Sequence, residues 1–455
     1  MDGIVIAKPI EQLRLDLPEL DWITDPGRIE RLSQDFSWFS PVLKRQLDGI
    51  VAEIVVRPRT EDEIRSVVSA CVRLNLAITL RGSGTGNYGQ TTPLAGGVVI
   101  DTTGFKTLHW IRPGVARAQA GIRLGELEKQ ANAGGQELRC MPSTFRSATL
   151  GGLFGGGFGG IGSINYGPLA SPGNVLGVRA MTIEAEPQIV ELRGEDALRM
   201  HHQWGTNGLV LELEIALAPM HPWLETIVTF EAFEQALAFG NSLAHAPGIT
   251  KREVAFLASP VPDYLTQLSE HLPTGCHAVL AVVAESGEQA LLKLTDRHDG
   301  TLRYRKTAEE ARKAHRTLME FTWNHTTLNA LKADPTLTYL QSSFVPGLHM
   351  QQITEMERLL GGEVMMHAEF LRNTDGLMTC SALQLVRFTT EERLNEIMEM
   401  YRQRGVRINN PHVYIVEDGK AGGALPIETV QMKARFDPHA LLNPGKLRDF
   451  PVRRA

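Results

Sequence analysis

Apolar and polar positions along this chain repeat with two periods, and the switches between them mark the elements. Ile54–Val56 is a short apolar run closed by Pro58, which predicts a strand. Thr60-Glu61-Asp62-Glu63 has capping-box spacing: the Thr60 oxygen is placed for the Glu63 amide and the Glu63 carboxylate for the reach back. Ile64, Val67, Val68, Cys71 and Leu74 follow on one helical face, so Cys71 reads as a core residue and not a reactive thiol. Ala77–Leu80 predicts a second strand that runs directly into RGSGTGNYGQ. GGVVIDTT, VARAQAG, VLGVRAMTI and GLVLELEIAL predict further strands, with a short helix around Leu124–Ala131. This is an α+β pattern with many short strands.

The texture changes after His221-Pro222. A strand (Thr226–Phe230), a helix (231–245), two strands (252–258 and Ala278–Ala284) and a helix (287–298) follow. A similar order recurs as a helix (350–360), strands Glu363–Leu371 and Ser381–Phe388, and a helix Thr390–Arg404. Such an order predicts an antiparallel sheet with helices on one face. The expected division is an N-terminal segment over 1–45, a first domain over 46–220, a second over 221–412, and a C-terminal segment over 413–455 that ends in the compact turn DPHALLNPGKL.

Composition narrows the function. The 455 residues are 43% hydrophobic and 22% charged, as in a globular protein with more than one core. With 46 Lys and Arg against 52 Asp and Glu the net charge is −6, and no long basic run occurs, which argues against nucleic acid as a partner. The opening MDGIVIAKPIEQLRLDL lacks the apolar core of a signal peptide, and no apolar run is long enough for a membrane span. The four cysteines lie far apart without a CxxC, so reduced thiols and a cytoplasmic location are expected.

Two glycine-rich stretches carry candidate chemistry. RGSGTGNYGQ follows a strand, and successive backbone N–H groups in such a loop form a nest that suits phosphate, with Ser83, Thr85 and Asn87 as added donors. An ordinary glycine-rich turn is the alternative reading. The second stretch, GGLFGGGFGGIGSINYG at 151–167, contains a GxGxxG match at 155–160. A dinucleotide turn needs a strand before it and a helix after it. CMPSTFRSATL upstream is not strand-like, and IGSINYGPLASPGN downstream, with its prolines and glycines, reads as non-helical, so the match is accidental.

The order of these motifs resembles the FAD-binding domain of the vanillyl-alcohol oxidase / p-cresol methylhydroxylase (PCMH-type) family. The resemblance rests on the strand–helix–strand into R-G-x-G-T-G, the apolar strand ending in Asp101, P-S-T-x(4)-T-L-G-G with its glycine run, VLGVRAMTI and G-T-N-G-L-V-L-E. The closing LLNPGKL is similar to that of the glycolate and D-lactate dehydrogenase branch. The resemblance implies a two-subdomain FAD-binding domain, an antiparallel-sheet cap with helices on one face, and a C-terminal return to the FAD domain. It implies FAD contacts from the first loop (Arg81, Gly82, Ser83, Gly84, Thr85, Gly86, Asn87, Tyr88 and Gln90) around the pyrophosphate. Pro142, Ser143, Thr149, Gly151 and Gly152 are implied along the flavin and ribityl chain, with Gly155 and Gly156 close by and Leu209 and Val210 further along. Asn443 and Lys446 are implied near the ring, Lys446 to balance charge on the reduced flavin; a solvated terminal lysine is the alternative.

Departures from the family shape the rest. RGSGTGNYGQ holds no His or Cys, so FAD is expected to be noncovalent. The metal-binding G-H-x-G-D-G-N-x-H string is missing, so no metal is expected. Glu417-Asp418-Gly419 stands where E-H-G is common, and His201-His202 reads as a surface pair. Strand periodicity makes His412 with Tyr414 in HVYIV the first candidate for the catalytic base, then His367 with Glu369 in EVMMHAEF. Arg387 is the candidate partner for a substrate carboxylate, and His325, beside Trp323 and Asn324, a further polar candidate. The implied activity is oxidation of a small alcohol, a 2-hydroxy acid in the first place, by hydride transfer to flavin. An aromatic or sugar-type alcohol, or a non-catalytic flavin-holding subunit of an electron-transfer complex, are the alternatives. The small-molecule substrate and the electron acceptor are left unnamed, and a homo-oligomer is allowed.

Overall fold

The computed structural model of the protein describes residues 8–420 and 422–452, so the first seven residues of the opening segment read above lie outside it. Ile54–Val56, Val98–Asp101 and Ile78–Arg81 form a small parallel sheet with Trp22–Ile23 antiparallel at its edge. Helix Glu61–Arg73 makes the crossover, and Ile64, Val67, Val68 and Cys71 are all 0% exposed against the sheet. Each such aliphatic side chain contributes about 1.5–3 kcal/mol by leaving water. Thr60 Oγ1 accepts the Glu63 amide at 3.2 Å, while the Glu63 carboxylate reaches one residue further back than a capping box requires, to the Arg59 amide at 2.6 Å.

A second, antiparallel sheet runs in the order Leu108–Arg112, Val115–Gln119, Leu209–Pro219, Val175–Met181, Ile189–Arg193, with Gln136–Leu138 also on Leu209–Pro219. Trp223–Phe230 then enters an eight-stranded antiparallel sheet. Its order is Thr301–Lys306, Trp223–Phe230, His277–Ala284, Lys251–Leu257, His367–Arg372, Met378–Ala382, Gln341–Ser343, Arg407–Asn409. Helices Phe233–His245, Glu288–Arg297, His349–Leu360 and Glu391–Arg402 share one apolar core with one face of this sheet. The opposite face packs on Phe321, Ala330 and Leu331, where helix Asn324–Ala333 lies.

The C-terminal segment returns to the first sheet. After helix Ile427–Phe436, the buried ion pair of Lys433 and Asp437 organises the turn: Asp437 accepts the amides of Leu441 and Leu442 at 3.0 and 2.9 Å, and Lys433 donates to the Leu442 carbonyl at 2.9 Å. Leu442 then lies beside Ile78 in parallel, with Ile78 N donating to Leu441 O and Asn443 N to Ile78 O.

Several expectations need correction. HVYIV is not a strand; the strand is Arg407–Asn409, and a short helix begins at Val416, because Asn410-Pro411 breaks pairing before His412. Glu363–Leu371 divides into Val364–Met365 and His367–Arg372, which belong to different sheets. Downstream of the glycine run, Ser163–Tyr166 is helical after all: Gly162, at φ 95°, supplies the sharp entry, and Gly167 ends it.

Candidate functional site

A cavity of about 670 Å³ opens where the glycine stretches meet the cap, within the usual range for small-molecule sites. Its first wall is RGSGTGNYGQ, launched from Ile78–Arg81. Arg81 is buried and folds its guanidinium under the loop, donating to the Gln34 carbonyl at 2.5 Å and Thr91 Oγ1 at 3.1 Å. Gly84, at φ 66°, turns the chain over that guanidinium, where any side chain would collide with it. The Ser83 hydroxyl donates to the Ser147 carbonyl and so ties the two loops together. Gly82 through Tyr88, with Gln90, all line the cavity, and Asn87 Nδ2 is a buried donor without a partner among the described residues. A ligand with phosphate oxygens would satisfy that donor and the loop amides.

The glycine run forms the second wall, and its glycines do different jobs. Thr149 caps helix Leu150–Gly156, its Oγ1 accepting the Gly152 amide at 3.1 Å, a start that the glycine-heavy sequence obscured. Gly151 serves helix packing: a Cβ there would sit 2.7 Å from Ala120 Cβ. Gly155 has the cavity itself beside it, since a Cβ would meet nothing nearer than Gly205 N at 4.0 Å. Pro142, Ser143, Thr149, Gly151, Gly152, Gly155, Gly156 and Val210 line the cavity; Leu209 is fully buried in the core of the parallel sheet and does not.

The third wall is one face of the cap sheet. Glu369, Ser381, Ser343 and Arg407 are in register on four adjacent strands, so all four point to the same side. Two residues on, Leu383, Gln341 and Asn409 extend this face, while Cys380, Ala382 and Ile408 pack the opposite core. Ser381, Ser343, Arg407, Gln341 and Asn409 line the cavity. Arg407 is exposed on the edge strand and makes no ion pair or side-chain hydrogen bond within the described residues.

Glu369, which periodicity puts on the same side of its strand as His367, lies on this face of the sheet, but Trp323 covers it. Trp323, at φ 53°, donates its amide to Glu369 Oε1 at 2.6 Å and its indole N–H to Glu253 Oε2 at 3.1 Å. His367 Nε2 lies 2.8 Å from Glu369 Oε1, and all of this polar cluster is buried. Burial and the neighbouring carboxyl push Glu253 well up, burial pushes Glu369 up to about 7, and burial pushes His367 down to about 3. Burial thus favours the uncharged forms throughout this cluster, which lies behind Trp323 and does not line the cavity.

The other sequence candidates also stand back from the cavity. His412 is 4% exposed, with Nδ1 at 2.8 Å from Ser40 Oγ and Nε2 at 2.9 Å from the Tyr339 carbonyl, so neither nitrogen is free. Burial lowers its pKa to about 4. Tyr414 lies under the Lys446 ammonium, 5.5 Å from ring centre to Nζ. Lys446 is fully buried, not solvated; it donates to the Gly89 carbonyl at 2.5 Å, and burial drives its pKa down to about 7 against the pull of Asp35. Asn443 donates to the carbonyls of Gln90 and Trp204 at 3.2 and 2.7 Å, pinning two cavity loops from behind. Arg387 is exposed at the end of Leu385–Arg387, the central strand between Leu337–Tyr339 and Val364–Met365 in a small separate sheet, 3.8 Å from Asp334. His325 is half-buried, its Nδ1 without a partner among the described residues, one residue beyond the cavity-lining Asn324.

What sequence reasoning missed lies at 201–208 and 407–420. His201 and His202 are not a surface pair: both line the cavity, and His201 is 7% exposed. His202, Trp204, Gly205 and Gly208 all have positive φ, and the segment docks on the glycine helix through His202 N to Phe154 O at 3.0 Å and Trp204 N to Gly155 O at 2.8 Å. Two bulky residues in that conformation within three positions were a departure no residue pattern announced. Lys420, from the C-terminal segment, lines the same end and has no ion-pair partner among the described residues. Arg81, Arg407 and Lys420 are the cationic lining residues, and no carboxylate lines the cavity among the described residues. The whole surface therefore suits a long ligand bearing phosphates and a second, anionic one.

Comparison with known proteins agrees with this geometry. Residues 52–192 match the family described as FAD binding domain. The chain is 26% identical to the glycolate oxidase subunit GlcD of Escherichia coli over 219 residues, 45% of this chain and 44% of that one, so the match spans less than half of that relative's length. It is 24% identical to GlcD of Bacillus subtilis over 432 residues, 87% of this chain and 88% of the relative. In fold it is similar to alkyldihydroxyacetonephosphate synthase, with a TM-score of 0.70 at 15% identity over 96% of this chain and 85% of that one. Residues 52–192, which carry the phosphate-suited loop and the glycine helix, thus match the family described as FAD binding domain, and the chain as a whole shares the fold of that synthase.

Proposed function

We propose that this chain oxidises a small 2-hydroxy acid, with FAD held noncovalently along the two glycine walls. FAD, when bound, supplies a two-electron acceptor for the hydrogen on an alcohol carbon. The loop Gly82–Asn87 would hold its phosphates, and Gly155, where a Cβ would meet nothing nearer than 4.0 Å, leaves room beside the glycine helix. Neither His nor Cys occurs in that loop, which supports noncovalent binding.

The observation that carries the substrate reading is the polar row of the cap ending in Arg407. A guanidinium facing a cavity without carboxylates is matched by a ligand carboxylate, which it can take with two parallel hydrogen bonds. Lys420 adds a second positive charge, and Ser343, Asn409 and Gln341 offer groups that can orient a neighbouring hydroxyl. The relatives named glycolate oxidase subunit support the same class.

Arg407→Met tests this. A hydrogen bond to a charged group contributes about 1.5–3 kcal/mol, so the concentration of hydroxy acid giving half-maximal flavin reduction should rise about 10- to 150-fold. FAD content should stay at the wild-type level, and alcohols without a carboxylate should be unaffected. An unchanged dependence on hydroxy acid would remove Arg407 from recognition.

A further inference from the structure

His201, His202 and Lys420 converge at one end of the cavity, from two segments far apart in sequence. His201 Nε2 is buried and has no hydrogen-bond partner among the described residues, although the residue lines the cavity. The ring is held by the Gly157 backbone and packs edge-on to Phe154, with centroids 5.5 Å apart. The ring of His202 lies 5.9 Å away, and that residue is kept in a left-handed backbone conformation by the docking of 202–204 on the glycine helix. A buried ring nitrogen left without a partner, in a wall that strain has shaped, is a group waiting for a ligand.

We propose that His201 is the proton-accepting residue of this cavity, and that a carboxylate docking beside Lys420 is what makes it basic enough to act. This rests on the hydroxy-acid reading above. The substrate O–H bond breaks, its proton goes to His201 Nε2 and its electron pair closes the carbonyl; the carbon-bound hydrogen leaves with its own electron pair to FAD, the oxidant of that reading. Without a ligand, burial and the nearby Lys420 ammonium hold His201 neutral at about 4, and burial, His201 and Lys420 hold His202 at about 3. Glu417 acts on Lys420, and Asp418, two residues away, is paired with Arg448. An opposite charge within a few ångströms raises an imidazole by about one to three pH units. A bound carboxylate would therefore bring His201 to about 5–7, the range a general base needs. Substrate arrival itself would create the base, and an empty site would keep a neutral ring.

The test is calorimetric titration of the FAD-loaded protein with oxalate at pH 6 and pH 8, in pairs of buffers that differ in ionisation enthalpy. Binding should take up roughly half a proton per oxalate at pH 6 and almost none at pH 8. His201→Gln should abolish the uptake while keeping FAD. Lys420→Met should weaken oxalate at least about tenfold, with Lys420→Arg restoring it. Visible absorbance and circular dichroism establish that each variant is folded and FAD-loaded. Oxalate binding without proton uptake at pH 6, uptake that survives His201→Gln, or no oxalate binding would overturn the proposal. If 2-hydroxy acids bleach the wild-type flavin but uptake is missing, only this proposal falls; uptake without bleaching by any hydroxy acid removes the hydroxy-acid reading and the proton-accepting role built on it.

Discussion

Gly155→Leu yields a folded protein that has lost most of its affinity for FAD. The residue sits in helix Leu150–Gly156, where leucine is a better helix former than glycine by about 0.5–1 kcal/mol, so the apoprotein should melt no lower than wild type. The new side chain meets no strain at its Cβ, since among the described residues outside its own helix nothing comes nearer than Gly205 N at 4.0 Å, and the branches beyond it face the cavity that Gly155 lines. It must occupy cavity space that FAD would fill. Forcing extra methylenes into a packed volume costs about 1–3 kcal/mol, which is about 5- to 150-fold in the FAD dissociation constant. Fluorimetric titration of apoprotein with FAD measures this directly. In the wild type, acid precipitation should leave all the yellow colour in the supernatant. Unchanged FAD affinity in Gly155→Leu would mean that the glycine helix does not border the cofactor, and colour in the washed pellet would mean a covalent bond.

Asp437→Ala is expected to cost about 3–5 kcal/mol of stability, because it strands the Lys433 ammonium in the interior. Lys433 is 1% exposed and Asp437 equally so, and the aspartate also accepts two backbone amides of the turn that brings Leu442 to Ile78. Loss of the pair should loosen the C-terminal return and lower the melting temperature of the apoprotein. The double variant Lys433→Met/Asp437→Leu removes both charges and should recover a large part of the loss, since apolar replacements of buried pairs are often tolerated. A single variant that melts like wild type would show that water reaches this turn.

The parts of this account visible in the sequence are those that depend on local pattern. The buried stripe of helix Glu61–Arg73 and the phosphate-suited loop after Ile78–Arg81 come from residue spacing within one or two elements. Strand alternation likewise put His367 and Glu369 on one side of their strand. What failed was whatever depended on a third element. Nothing within EVMMHAEF announces that Trp323, some forty residues earlier in sequence, folds over Glu369. Nothing in HVYIV shows that Ser40 and Tyr339 occupy both nitrogens of His412. The pairing of Gln341–Ser343 with Arg407–Asn409 is long-range, so nothing local marks Arg407, whereas Arg387 ends a strand of a separate small sheet, exposed and away from the cavity. His201-His202 looked like a polar surface pair because a left-handed backbone at a non-glycine residue leaves no composition signal.

The central claim, that this cavity joins FAD to a carboxylate-bearing alcohol, is tested most directly by anaerobic bleaching of the bound flavin. Glycolate, the two lactate enantiomers and larger 2-hydroxy acids would be added to the FAD-loaded protein, beside ethanol, 1-propanol, benzyl alcohol and a hexose. The account predicts that at least one hydroxy acid removes the flavin absorbance and that its counterpart without a carboxylate does not. Bleaching by the aromatic alcohol or the sugar alone, or by none of them in a protein that dithionite reduces fully, would contradict it.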